Sequence, residues 1–232
     1  MQRHDIYRDQ ARGRRLAAVV FDLDGVLVDS ESVWDAARRA VVTETGGRWT
    51  PTATTDMLGM SAPEWSKYLR DELAIPLDPD EINRRVVAGL LASYRRHLPL
   101  LPGALAAVAR LASRWPLGLA SSANRPVIDA VLASAGLSEK FAATVSGEEV
   151  DHGKPAPDVY LAAARRLGVE PADAAAVEDS TNGLRAAAAA GMAVVAVPNR
   201  EFPPTADALS LADRVVDSLD GLTPSSILAA VR

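Results

Sequence analysis

Four short apolar runs, LGLAS, FAATVS, AAAVED and MAVVAV, lie between Leu117 and Val197, and the three helical patterns that separate them end on Gly136, Gly168 and Gly191. Runs this short and this continuously apolar suit strands buried on both faces. A helix between each strand and the next imposes the crossover of a parallel sheet. The pattern predicts strands over Leu117–Ser121, Phe141–Ser146, Ala174–Asp179 and Met192–Val197, with a last short strand in DRVVDS before a terminal helix. It predicts helices over Ala104–Arg114, Pro126–Ala135, Pro157–Leu167 and Asn182–Ala190.

One more apolar run, LAAVVF (Leu16–Phe21), stands apart near the start of the chain. From about Ser30 to Leu98 the alternation stops, and helical patterns broken by TGGRWTP and IPLDPDE take over. SAPEW, a serine before a proline in a first turn, marks one helix start. The expectation is an α/β protein with a Rossmann-like, doubly wound parallel sheet core at 16–29 and 99–232. An all-helical cap at 30–98 is inserted after the first strand, and 1–15 form a polar tail.

The formal net charge of −5 gives no basic footprint for nucleic acid. The absence of cysteine removes disulfides, thiolate metal sites and thiol nucleophiles, and His4, His97 and His152 are too scattered for a zinc site. The polar start MQRHDIYRDQARGRR and a following run that carries Asp22 do not read as a secretion signal. No apolar stretch reaches the roughly 18 residues of a spanning helix. A cytoplasmic monomer with neither membrane nor nucleic-acid partner is expected.

Ligands of open parallel sheets bind beyond the C-terminal strand ends. At those ends stand Asp22 and Asp24, then Ser121, then Lys154 in GKPAPD, then Glu178 and Asp179 in VEDS. Asp22 and Asp24, two apart in an extended segment, point the same way, and close like charges need a counter-cation or a shared proton. Carboxylates without nitrogen or sulfur partners call for a hard cation, ordinarily Mg2+. An EF-hand is excluded because Gly25 falls at the fourth loop position, and a P-loop because five residues, not four, separate Gly147 from Gly153 and Pro155 follows Lys154.

FDLDGVLVDS, LASSAN, GKPAPDVY and VEDSTNG resemble, in order, the four motifs of the haloacid dehalogenase superfamily, and more narrowly its members with a helical cap after the first motif. The resemblance implies Asp22 as a nucleophile that forms an aspartyl-phosphate, and Asp24 as general acid and then base. It implies Mg2+ held by Asp22, the Asp24 carbonyl, Asp179 and Glu178. It also implies phosphoryl oxygens held by Lys154 and Ser121, with Ser122 as the competing serine. An acid at position 24 points to phosphate esters.

Within the superfamily the chain is similar to the group of β-phosphoglucomutase and 2-deoxyglucose-6-phosphate phosphatase. The mutase pattern has a histidine where Trp34 stands and an arginine where Ala62 stands, so hydrolysis of a small sugar or sugar-alcohol phosphate is expected. A phosphoryl-transfer isomerase and a catalytically silent binding relative are the alternatives. Glu31, Trp34, Leu58, Gly59, Met60, Ser61 and Asn124 are the candidates for substrate contact. Trp34 also fits a packing stripe with Ala37 and Val41.

Overall fold

A computed structural model describes residues 16–57 and 60–231. The elements run β1 (Ala18–Phe21), α1 (Glu31–Glu44), α2 (Ala53–Asp56), α3 (Ala62–Asp71), α4 (Pro79–Arg96), α5 (Ala104–Ala112) and β2 (Leu117–Ser121). They continue with α6 (Arg125–Ser134), β3 (Phe141–Ser146), α7 (Asp158–Leu167), β4 (Ala174–Glu178), α8 (Thr181–Ala189) and β5 (Ala193–Ala196). The last are α9 (Ala206–Leu209), β6 (Arg214–Val215) and α10 (Pro224–Ala230).

All strand pairs are parallel, in the order β3-β2-β1-β4-β5-β6, so the chain reverses its winding direction between β1 and β4. Alternation along β1 sends Val19 and Phe21 into the cluster shared with α5, α6 and α10. Val20 turns to the opposite cluster, built with α7 and α8. Both faces of the sheet are covered, which is why its strands read as continuous apolar runs.

Four strands are shorter than predicted: β1 begins at Ala18, β6 keeps only Arg214–Val215 of DRVVDS, and β4 and β5 are trimmed for local reasons. The Asp179 and Ser180 amides turn back to the Glu178 carboxylate at 3.0 and 3.2 Å, which ends β4 at Glu178. The Met192 amide donates to Ala187 at 3.3 Å and closes the preceding helix, so β5 starts at Ala193.

Helices α1 to α4 follow β1. Ile82, Val86, Leu90 and Tyr94 form the buried stripe of α4, and α1 and α3 pack against that helix. Asp78 caps α4 by accepting from the Asp80 amide at 2.9 Å. The outgoing and returning segments pair with each other: Asp29 donates to Pro99 at 2.8 Å, Leu101 donates to Leu27 at 3.0 Å, and Val28 bridges to Leu100. Among the described residues no helix is long and apolar enough to cross a membrane. Leu58, Gly59 and the expected tail 1–15 lie outside the described residues.

Candidate active site

Parallel pairing of Phe21 with Val177, extended by the Asp22 amide donating to Val177 at 3.0 Å, sets the ends of β1 and β4 side by side. Asp22, Glu178 and Asp179 thus converge, with carboxylate oxygens within 4.8 Å of one another. Lys154 enters from the loop before α7, its Nζ 2.7 Å from Asp22 Oδ1 and 2.6 Å from Glu178 Oε1. Beneath it, Tyr160 Oη donates to Glu178 at 2.8 Å, and the tyrosine ring lies 4.9 Å from the ammonium.

One ammonium among three buried acids leaves the cluster short of positive charge. Burial raises the Asp22 carboxyl to about 8, with Glu178 and Asp24 adding to the effect and Lys154 opposing it. Asp179 is raised by burial, then by Glu178 and Asp22. Burial works against the Lys154 ammonium, but Asp22 and Glu178 outweigh it and hold its pKa above the ordinary value.

Space is as constrained as charge. Gly25 has φ +76°, and a Cβ there would stand 1.9 Å from Asp179 Oδ2. A Cβ on Gly183 would stand 1.8 Å from Glu178 Oε1. Buried Asp179 Oδ1 has no hydrogen-bond partner among the described residues. An all-oxygen set with excess negative charge and an orphaned carboxylate oxygen fits a divalent metal ion. Glu178 is the acid already satisfied, since its oxygens accept from Lys154, Tyr160, two amides and the Ser180 hydroxyl. Asp22 and Asp179 are the better placed to bind the ion.

Asp24 is held from two sides. Ser121 Oγ, at the end of β2, donates to Asp24 Oδ2 at 3.4 Å, and Trp34 Nε1, from α1, donates to Oδ1 at 3.2 Å. The indole therefore packs within its helix stripe and also touches a site carboxylate. Ser121 is fully buried, whereas Ser122 is the serine on the wall of the cleft.

That cleft, about 500 Å3, also takes in Glu31, Met60 and Lys154. Two other candidates turn elsewhere. Ser61 caps α3, its hydroxyl donating to Glu64 at 2.6 Å, and its neighbour Met60 forms the wall. Asn124 Nδ2 donates to Glu148 Oε1 at 2.5 Å and to Asn83 Oδ1 at 3.3 Å, which ties α6 to α4 instead of facing the cleft.

The sequence reading missed Arg38, Trp65 and the loop after β5, where Asn199, Glu201 and Phe202 close the cleft. It also gave no role to Tyr160, although the residue ends the quoted GKPAPDVY stretch. Arg38 left one signal: it follows Trp34 by four residues and precedes Val41 by three, on the apolar stripe of a helix.

A model of the haloacid dehalogenase-like hydrolases matches residues 16–191. Hexitol phosphatase B of Escherichia coli K12 is 35% identical, over 93% of this chain and 98% of its own. The fructose-1-phosphate phosphatase YqaB of the same organism is 32% identical, over 79% and 97%. The crystal structure of CbbY from Rhodobacter sphaeroides in complex with phosphate superimposes with a TM-score of 0.80 at 27% identity, over 91% and 99%.

Proposed function

Because the chain belongs to the haloacid dehalogenase-like hydrolases, we propose that it hydrolyses a small phosphate monoester of the sugar or sugar-alcohol class. The observation that carries this reading is the contact of Lys154 with both Asp22 and Glu178, beside Asp179 and under an Asp24 held by two donors. Relatives named for hexitol and fructose 1-phosphate support the substrate class.

Asp22 attacks phosphorus, and the bond to the leaving oxygen breaks as the aspartyl-phosphate forms. Asp24 gives its proton to the departing alkoxide, and later takes one from the water that cleaves the acyl-phosphate bond. Lys154 fixes the Asp22 oxygen and faces the phosphoryl charge, with Ser121 or Ser122 contributing a hydrogen bond. Mg2+, held by Asp22 and Asp179, would neutralise the crowding of carboxylates and phosphoryl oxygens. Helices α1 to α4, residues 30–98 in the division read from the sequence, serve as the cap that covers the leaving group.

The test is phosphate release from hexitol, hexose, pentose and glycolate phosphates, with Mg2+ and with chelator. Release from one or a few of the sugar phosphates, lost on chelation, is the expected result. Asp22→Asn should lower it by a factor on the order of 10^4 or more with the melting transition retained. β-Glucose 1-phosphate, run with a trace of the 1,6-bisphosphate, tests the isomerase. Conversion to glucose 6-phosphate with little free phosphate would overturn hydrolysis, and full activity in Asp22→Asn would overturn the mechanism.

A further inference from the structure

Across the cleft from Asp22, α1 presents Glu31, Trp34 and Arg38 at spacings of three and four residues, hence on one face. Arg38 is 5% exposed, and its guanidinium carbon lies 5.2 Å from the Trp34 ring centre and 5.3 Å from that of Trp65. The two indoles, with centres 6.1 Å apart, pack against the guanidinium. Its Nε and Nη1 are buried and have no hydrogen-bond partner among the described residues; nor has Glu31 Oε1. Nη1 and Oε1 stand 3.8 Å apart, too far to satisfy each other.

A buried arginine fork left unpaired on the wall of a cleft is costly unless a ligand completes it. A hydroxyl suits such a gap, because it accepts from the guanidinium and donates to the carboxylate at once. A second phosphate does not suit it. It would meet Arg38 but also the Glu31 carboxylate, and the field at Arg38 already includes Glu31, Asp35 and Asp24. Of the two indoles that pack on Arg38, that of Trp34 also reaches Asp24 through its Nε1, so the gap lies one ring away from the reacting end of the cleft.

We infer that Glu31 and Arg38 read an uncharged hydroxyl on the alcohol part of the ester, and so select polyol phosphates over bisphosphates. The inference rests on the phosphatase reading above and assigns its specificity to a pair of residues.

The experiment compares kcat and KM of the wild type, Arg38→Met and Glu31→Gln on three probes with Mg2+: a hexitol 6-phosphate, phenyl phosphate and a hexose bisphosphate. Phenyl phosphate has no hydroxyl for the pair to read. In both variants the ratio of kcat/KM for the hexitol ester to that for phenyl phosphate should fall at least about tenfold, chiefly through KM. The bisphosphate should remain the poorer substrate of the sugar pair throughout.

A parallel loss on both monoesters would make Arg38 a packing residue only and overturn the inference. So would a gain on the bisphosphate in Glu31→Gln, which would mark an anion site. Glu31 is partly exposed and glutamine keeps its shape, so that arm stands even if Arg38→Met does not fold. Release from none of the three by the wild type would remove the phosphatase reading and the inference with it. Release with an unchanged ratio in the variants removes the inference alone.

Discussion

The sheet rim and the helices above it face one cleft, yet they treat buried charge in opposite ways. At the rim, Glu178 accepts from Lys154, Tyr160, Ser180 and two amides, and Lys154 is itself shared with Asp22. Across from it, Arg38 lies between two indoles with two of its nitrogens unbonded, and Glu31 stops 3.8 Å short of it. The bonded network around Glu178 and Lys154 holds one geometry and leaves only Asp179 Oδ1 open, toward the ion, which suits groups that perform the same step on every ester. A half-satisfied pair is completed by whatever enters, which suits recognition.

The contrast extends to glycine. At Gly183 a Cβ would meet the Glu178 carboxylate at 1.8 Å, whereas at Gly89, within α4, it would meet only Ala37 Cβ at 3.7 Å. Gly183→Ala should cost at least about 2 kcal/mol and most of the activity. Gly89→Ala should add about 0.5–1 kcal/mol, since an exposed helical glycine has no contact to lose. Urea midpoints of the two variants, measured side by side, would break the comparison if they moved together.

Charge offers the next test. Without metal, the folded pKa of Asp22, about 8, stands above its ordinary 3.8, so the folded state holds the proton more tightly than the unfolded chain does. That contribution is complete below about pH 4 and is lost as pH rises through 8. In chelator, stability should therefore fall from pH 5 to pH 8. Saturating Mg2+ should restore it at pH 8, by about 2.7 kcal/mol at a hundred times Kd. Denaturation at the two pH values, with and without the ion, checks this; a profile insensitive to Mg2+ would remove the metal from the rim.

The smallest effect is expected where the two regions touch. Trp34→Phe keeps an aromatic ring in the helix stripe, deletes the donor to Asp24 and trims the face that packs on Arg38 and Trp65. A stability change within about 1 kcal/mol and a three- to tenfold fall in kcat are expected, as for one hydrogen bond. The fall in kcat should appear on phenyl phosphate too, where Glu31 and Arg38 have no hydroxyl to read. A loss confined to KM would instead make Trp34 a substrate wall.

The core elements were legible because their signals are local. LGLAS and FAATVS became β2 and β3 over the predicted residues, bounded by the turns that flank them. Asp22, Glu178 and Asp179 were legible for a related reason: each sits where an apolar run stops, and a parallel sheet brings such stops to one edge, while Lys154 was marked by its Gly-Lys-Pro loop beyond β3. The recognition side has no such rule. Arg38 matters because Trp65, from another helix, closes over it, and Phe202 joins the cleft from a loop far along the chain. Ser61 and Asn124 were read as substrate contacts for want of sight of Glu64, Glu148 and Asn83, the partners that draw them away. Polar residues on helices and loops acquire their roles from neighbours that the local pattern does not announce.

The paired segments at Leu27–Asp29 and Pro99–Leu101 have a consequence for how such a chain diversifies. The path out of the sheet and the path back are bonded together, so the chain between them leaves and returns through one narrow stalk, and its other ties to the core are side-chain contacts such as Asn83 with Asn124 and Trp34 with Asp24. Exchange, lengthening or recombination of that stretch leaves every strand of the sheet in register. If the helical block is the recognition half proposed above, the stalk makes it a cassette, and descent could fit one set of rim residues to new esters by replacing the cassette alone.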